Sequence, residues 1–214
     1  MKTLSVLEPT LLNPLTYDAY LTLVEDLVSE QRTTGEEPTA QQVANTQDNL
    51  KRMKQMEKQF LLLPGLRNML QQHHLNWEWL VLTEAWCGDG AQLVPAIAAI
   101  ARAVPSIKLT ILLRDQNPEL METCLTKGTR SIPKLICMDA STGERLFTWG
   151  PRPTIIQNLF LKHRAAHPRM SIEELVQQLH KWYAQDRGLS LQLDLYRLAE
   201  QALIRNESCL QAAV

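Results

Sequence analysis

Five residues constrain this chain more than any others: Trp86-Cys87-Gly88-Asp89-Gly90. An apolar run, Trp79-Leu80-Val81-Leu82, precedes them, and a second, Ala91 to Val104, follows. A strand, a Trp-Cys-Gly turn and a helix form the frame in which a redox Cys-x-x-Cys pair sits. Gly90 stands where the second cysteine would be. The frame indicates dithiol chemistry, while the glycine forbids its intramolecular form. What remains is the chemistry open to a single thiol.

The pattern around the motif predicts an alternating β/α unit. Trp77 to Thr83, Ile107 to Leu113 and Leu135 to Met138 read as buried strands. Gly88 to Val104 reads as a helix. Another helix starts at Asn117-Pro118-Glu119, with Asn117 as N-cap, and is expected to end at Lys127-Gly128, a basic last turn with a glycine stop. Ser141-Thr142-Gly143 is a hairpin turn that returns Arg145 to Trp149 antiparallel, and Pro153 to about His163 is a closing helix. The order β-α-β-α-β-β-α predicts an α/β fold, its first three strands largely parallel and its last an antiparallel edge.

Both ends read as helices packed on this unit. Thr16 caps a helix carrying Tyr17, Tyr20, Leu21, Val24, Leu27 and Val28 at helical spacing. A second helix, from Thr39 to about Gln59, places Val43, Leu50, Met53 and Met56 or Phe60 on one face and Lys51, Arg52, Lys54 and Lys58 on the other. The formal net charge is -1, so the cationic face reads as solvated rather than as a nucleic-acid stripe. Pro64-Gly65 breaks that helix, and a short one from about Leu66 to His73 follows. His73-His74 lacks partners at ligand spacing and reads as a helix end, so no metal site is expected. Ser171 and Glu174 form a capping box for a helix that buries Leu175, Leu179 and Trp182. Arg187-Gly188 ends it, and a last amphipathic segment uses Leu191, Leu195, Leu198 and Ala202. The expected organisation is an N-terminal helical extension over residues 1–75, a central domain over 76–168 and a C-terminal helical extension over 169–214.

Several classes of function are excluded by what the sequence lacks. The N-terminal segment has no signal-peptide pattern, and no apolar stretch is long enough to span a bilayer. The near-neutral charge gives no basis for polyanion binding. Cys87, Cys124, Cys137 and Cys209 follow no disulfide-scaffold spacing, so a cytoplasmic, thiol-reducing compartment is expected. Cys124 and Cys137 read as core residues.

From Trp77 to His163 the chain resembles the thioredoxin superfamily. Its markers occur in order: Trp86-Cys87-Gly88 at the motif turn; Pro95 in the following helix; Asp115-Gln116-Asn117-Pro118 after the next strand; Thr129-Arg130-Ser131-Ile132-Pro133; and Gly150 after the last strand. The whole chain is similar to an uncharacterised bacterial thioredoxin-like family that shares Trp86-Cys87-Gly88-Asp89, Ile132-Pro133-Lys134 and Thr148-Trp149-Gly150-Pro151-Arg152-Pro153. The resemblance implies a thioredoxin-like fold, a central mixed sheet flanked by helices, with additional terminal helices. It also implies a cis Ile132–Pro133 bond close to Cys87, and a substrate groove bounded by Trp86, Ile132, Pro133 and Gly150. Val81 and Ile111 fall where thioredoxin has a buried Asp and its Lys partner, so the usual proton relay is missing. Glu84 is the candidate substitute, or else an exposed or arginine-paired residue with Arg114 and Arg130 as candidate partners.

Two functions follow. One is a monothiol thiol–disulfide oxidoreductase in which Cys87 attacks a protein or small-molecule disulfide and an external thiol such as glutathione resolves the product. It needs no cofactor. The other is a redox-silent binding module whose groove recognises an extended peptide or protein partner. The helix N-terminus should acidify Cys87, while Asp89 opposes that by like-charge repulsion.

Overall fold

The computed structural model describes residues 10–73 and 75–212, and their side chains as far as Arg205. His74 and the side chain of Cys209 lie outside the described residues. The chain runs α1 (Tyr17–Ser29), α2 (Ala40–Gln59), α3 (Pro64–Gln72), β1 (Trp77–Thr83), α4 (Gly88–Ala103), β2 (Ile107–Leu113), α5 (Pro118–Glu122), β3 (Lys134–Asp139), β4 (Arg145–Trp149), α6 (Thr154–Ala166), α7 (Ile172–Asp186) and α8 (Leu189–Ala212). Local chemistry sets several helix starts. Thr16 accepts from the Ala19 N–H at 3.1 Å, and capping boxes open α2 at Thr39/Gln42 and α7 at Ser171/Glu174.

The sheet has the order β2-β1-β3-β4. β1 and β2 are parallel, pairing Val81 with Ile111, whereas β3 is antiparallel to β1 and β4 is antiparallel to β3. The expected parallel third strand is therefore corrected. The reason is the connection. The only helix in the connection, α5, has five residues and rises about 7.5 Å, against the roughly 23 Å of a seven-residue strand, and the rest of residues 114–133 is spent in turns and bends, so the chain does not run back along the sheet. β3 instead starts at the end where β2 stops, with Lys134 opposite Leu82.

α5 also ends at Glu122 rather than at Lys127-Gly128. Both of those residues have positive φ (50° and 77°), and Thr126 and Thr129 exchange backbone hydrogen bonds of 2.9 and 3.0 Å across them. The basic-glycine pair is thus a tight two-residue turn, not a helix stop. Nor does the Asn117 side chain cap α5. Its Nδ2 donates to the carbonyls of Leu12 (3.1 Å) and Leu113 (2.9 Å), and its Oδ1 accepts from the Leu12 N–H (2.8 Å). This ties the N-terminal segment to β2, whose edge Leu15 closes by a double hydrogen bond with Ile111.

Strand alternation divides the core. Trp77, Trp79, Val81, Leu135 and Cys137 face a large cluster shared with α1, α2, α3, α4, α7 and α8. Leu80, Leu82, Leu112 and Ile136 face a smaller one with Leu120, Met121, Cys124 and Ile132. Both terminal helical regions thus contribute to the main core. Cys137 is a buried free thiol in the main core and Cys124 one in the smaller cluster.

Three helical faces are rotated from expectation. α2 buries Thr46 and Asn49 beside Met53 and Met56, while Val43 and Leu50 are half-buried. α7 buries Tyr183 and leaves Trp182 half-buried; α8 buries Ala199 in preference to Leu198. At Asn49 and Tyr183 a polar atom has a specific buried partner, described next, and that partner outweighs apolar periodicity.

Candidate functional site

The motif turn is held by parts of the chain distant in sequence. The Ala85 N–H donates to Thr34 Oγ1 at 3.0 Å, and the Ala85 carbonyl accepts from Asn49 Nδ2 at 2.9 Å. Both backbone groups of one residue are fixed by the N-terminal helical region. Glu84 Oε1 accepts the Asp115 N–H at 2.9 Å, joining the turn to the end of β2.

Cys87 is the N-cap of α4, and its Sγ accepts the Gly90 N–H at 3.3 Å. Its S–H donates to the Ile132 carbonyl at 3.4 Å, and the Ile132–Pro133 bond is cis as expected. Cys87 is only 7% exposed. Burial, followed by the charge of Asp89, pushes its thiol up to about 12, against the weaker opposing pull of the Gly90 and Asp89 N–H groups and Arg152. The acidification expected from the helix N-terminus is therefore overridden: desolvation penalises the anion more than the N–H groups favour it. At neutral pH Cys87 is a thiol.

Each motif glycine sits close against a neighbour. A Cβ on Gly90 would lie 2.5 Å from Thr83 Oγ1 and 3.4 Å from Cys87 Cβ. A second cysteine would thus have disulfide-like spacing to Cys87 but would collide with Thr83. A Cβ on Gly88 would meet His180 Cε1 at 3.1 Å. Gly150, at φ +113°, lies against Pro133, whose carbonyl would be 2.3 Å from an added Cβ. Val81 and Ile111 are fully buried and apolar, so no charged relay lies beneath the motif there.

Asp89 is the best-anchored residue of the motif. Arg152 Nε donates to both its oxygens at 3.0 and 2.9 Å, and the Tyr183 hydroxyl donates to Oδ1 at 2.7 Å. The Arg152 guanidinium also lies over the Phe160 ring, 4.4 Å from its centroid. Burial alone would lower the Arg152 pKa, but Asp89 raises it above the ordinary value. Burial and the Asp89 charge likewise raise Tyr183. This cluster joins the motif to the segment after β4 and to α7. Arg152 stood in the Trp149-Gly150-Pro151-Arg152 stretch, but nothing in the sequence paired it with Asp89.

Glu84 has neither expected arginine partner. It is 1% exposed, and burial raises its pKa against hydrogen bonds from Thr34 and the Asp115 N–H. Arg114 pairs instead with Asp115 at 2.7 Å and lies over the Trp86 ring, 4.9 Å from its centroid. Arg130 pairs with Glu122 at 2.6 Å. Each guanidinium pairs with an acid more exposed than Glu84: the Asp115 and Glu122 side chains are 35% and 50% exposed.

These residues surround a cleft of about 940 Å³. Trp86, Cys87, Gly88, Asp89, Ile132 and Gly150 line it, as do Arg114 and Arg130. Pro133 and Gly90 are not part of that lining. Sequence reasoning missed Asn49, Arg52 and His180, which also line it. Arg52 was assigned to a solvated face, yet it is half-buried and donates to Asn49 Oδ1 at 2.8 Å. Among the described residues no group of His, Cys, Asp and Glu is arranged to hold a metal ion, and no helix is long and apolar enough to cross a membrane.

No curated protein matches the chain. Two solved structures share its fold. A Pseudomonas aeruginosa protein of unknown function aligns with TM-score 0.54 at 18% identity, over 88% of this chain and 99% of that one. An HIV epitope-scaffold aligns with TM-score 0.52 at 18% identity, over 87% and 98%. A family model described as Thioredoxin matches residues 35–169, more than half the chain and all of the sheet and motif. The chain therefore belongs to this thioredoxin family.

Proposed function

We propose that the protein is a monothiol thiol–disulfide exchange protein. The Cys87 thiolate attacks one sulfur of a disulfide and expels the other as a thiolate, leaving a mixed disulfide on Cys87. An external thiolate such as glutathione then attacks that bond and releases Cys87. The net result is that one disulfide and one external thiolate become a new disulfide between that thiol and the substrate and one released thiolate; Cys87 is regenerated and no further oxidant is needed. The observation that supports this reading is that Cys87 is the one cysteine lining the cleft among the described residues, with the Gly90 N–H on its sulfur.

A second reading, a binding module without turnover, is favoured by the protonated, 7% exposed thiol. A pKa of about 12 leaves a thiolate fraction near 10⁻⁵ at pH 7, against about 3% for a free thiol. Greater intrinsic nucleophilicity recovers about 40-fold of that, so attack is roughly a hundredfold slower than by a free thiol.

One experiment separates the two. The folded protein is treated with glutathione disulfide from pH 7 to 10, and Cys87 adducts are quantified by peptide mass spectrometry beside a Cys87→Ser control. The exchange reading expects an adduct on Cys87 whose formation rate is still rising at pH 10. A folded protein that gives no Cys87 adduct across that range overturns exchange and leaves the binding module.

A further inference from the structure

One wall of the cleft carries a guanidinium that makes no ion pair among the described residues. Arg52 is half-buried, its hydrogen bond goes to the neutral Asn49, and it makes no ion pair among the described residues. A desolvated cation without a counter-ion is costly. Burial holds its pKa below the ordinary value, with Asp48 opposing. The nearest motif carboxylate cannot serve, because Asp89 is already bound by Arg152 and Tyr183.

His180 of α7 stands beside it. Its ring lies against Gly88, and its Nδ1 is 3.5 Å from Gln92 Nε2. With Nδ1 accepting from Gln92, the proton is assigned to Nε2, which leaves a donor. Burial, then Arg52, lowers its pKa to about 4; Arg152 adds to this and Asp48 opposes it. Two guanidiniums therefore act on one neutral imidazole at the thiol end of the cleft. The other cations lining the cleft are Arg114, Arg130 and Lys127, and Asp89 is its one carboxylate among the described residues.

We infer that Arg52 and His180 form an anion subsite, and that the ligand seated over Cys87 carries a carboxylate which Arg52 and the His180 Nε2–H receive. A planar guanidinium matches a carboxylate with two parallel hydrogen bonds. Two sources present this chemistry: the free carboxylates of a small thiol tripeptide, and the acidic side chains of a protein segment. The inference rests on the reading of this cleft as the ligand site. Its test measures binding rather than exchange, so the two fail separately.

The test uses full-length protein with Cys87→Ser, which removes exchange. Calorimetric titrations use S-methylglutathione, which cannot form a disulfide, and N-acetylated, C-amidated Glu-Ser-Glu. The neutral controls are the N-acetyl-S-methylglutathione dimethyl ester, whose capped amine leaves it uncharged, and the capped Gln-Ser-Gln peptide. At least one acid is expected to bind, about tenfold or more tightly than its neutral control, and more weakly as salt rises. Arg52→Gln should weaken it by at least about tenfold, and Arg52→Lys by less. His180→Gln, which leaves Arg52 in place, should weaken it too. By NMR, the His180 pKa should rise from about 4 when the acid binds, a readout a merely structural Arg52 would not give. Binding of S-methylglutathione alone assigns a small thiol; binding of the peptide alone assigns an acidic segment. If neither acid binds, if the neutral controls bind equally well, or if folded Arg52→Gln binds unchanged, the subsite is refuted. Carboxylate-dependent binding in a protein whose Cys87 takes no glutathione adduct supports the subsite and rejects only the exchange reading.

Discussion

The sharpest test of the site geometry is a single methyl group at residue 90. In Gly90→Ala the new Cβ falls 2.5 Å from Thr83 Oγ1, about an ångström inside ordinary contact. Thr83 is fully buried at the end of β1. Overpacking of this kind costs about 1–3 kcal/mol, and replacing glycine by alanine in a helix returns up to about 1 kcal/mol. The net loss is about 1–2 kcal/mol, which for a domain of this size lowers Tm by roughly 2–8 °C. Thr83→Ala removes the colliding oxygen and leaves a gap that the alanine methyl fills. In that background Gly90→Ala should raise Tm by about 1–3 °C, because only the helix preference remains. The coupling between the two substitutions is then about 2–3 kcal/mol, measured by a double-mutant cycle in urea. If Gly90→Ala has the same effect in both backgrounds, Thr83 does not close the second-cysteine position and the reasoning fails.

The same geometry predicts that Gly90→Cys alone forms an intramolecular disulfide poorly, whereas Gly90→Cys with Thr83→Ala forms it on mild oxidation; thiol titration and intact mass check this, and equal yields would contradict it. In Asp89→Asn the like charge is gone and Arg152 remains beside Cys87, so the Cys87 pKa should fall from about 12 and its alkylation profile move to lower pH. The same variant leaves Arg152 without a counter-ion; the pair is partly exposed (21% and 11%), so the loss of stability should be about 2 kcal/mol, read by urea denaturation. His180 titrates near 6.5 when unfolded and near 4 when folded, so its stabilisation is complete above pH 6.5 and disappears as pH falls through 4. Discounted for partial exposure that is about 2 kcal/mol, and His180→Gln should flatten the stability profile between those pH values. Gly150→Ala should cost more than about 3 kcal/mol or prevent folding, because φ is +113° and the added Cβ meets the Pro133 carbonyl at 2.3 Å; a variant that melts like the parent would contradict this.

The sequence by itself determined what is local. β1 and β2 were legible at the residue level because their apolar runs are continuous, and α1, α2 and α7 because Thr16, Thr39 and Ser171 cap them through bonds three residues away. The Cys87 turn, the missing second thiol and the apolar Val81–Ile111 pair were equally readable. Tertiary structure decided what depends on distance in space. The direction of β3 depends on the path of its connection, which is spent in turns and a five-residue α5 rather than in a crossover helix. The protonation of Cys87 depends on its burial, which no spacing reports, and desolvation there outweighs the helix N-terminus. Asp89 meets Arg152 and Tyr183 from 63 and 94 residues away, so its partners became visible only when the chain closed on itself. Arg52 looked like one charge on a solvated face, and the packing of α2 and α7 around the motif is what half-buried it in the cleft with a hydrogen bond to Asn49 and no ion pair among the described residues.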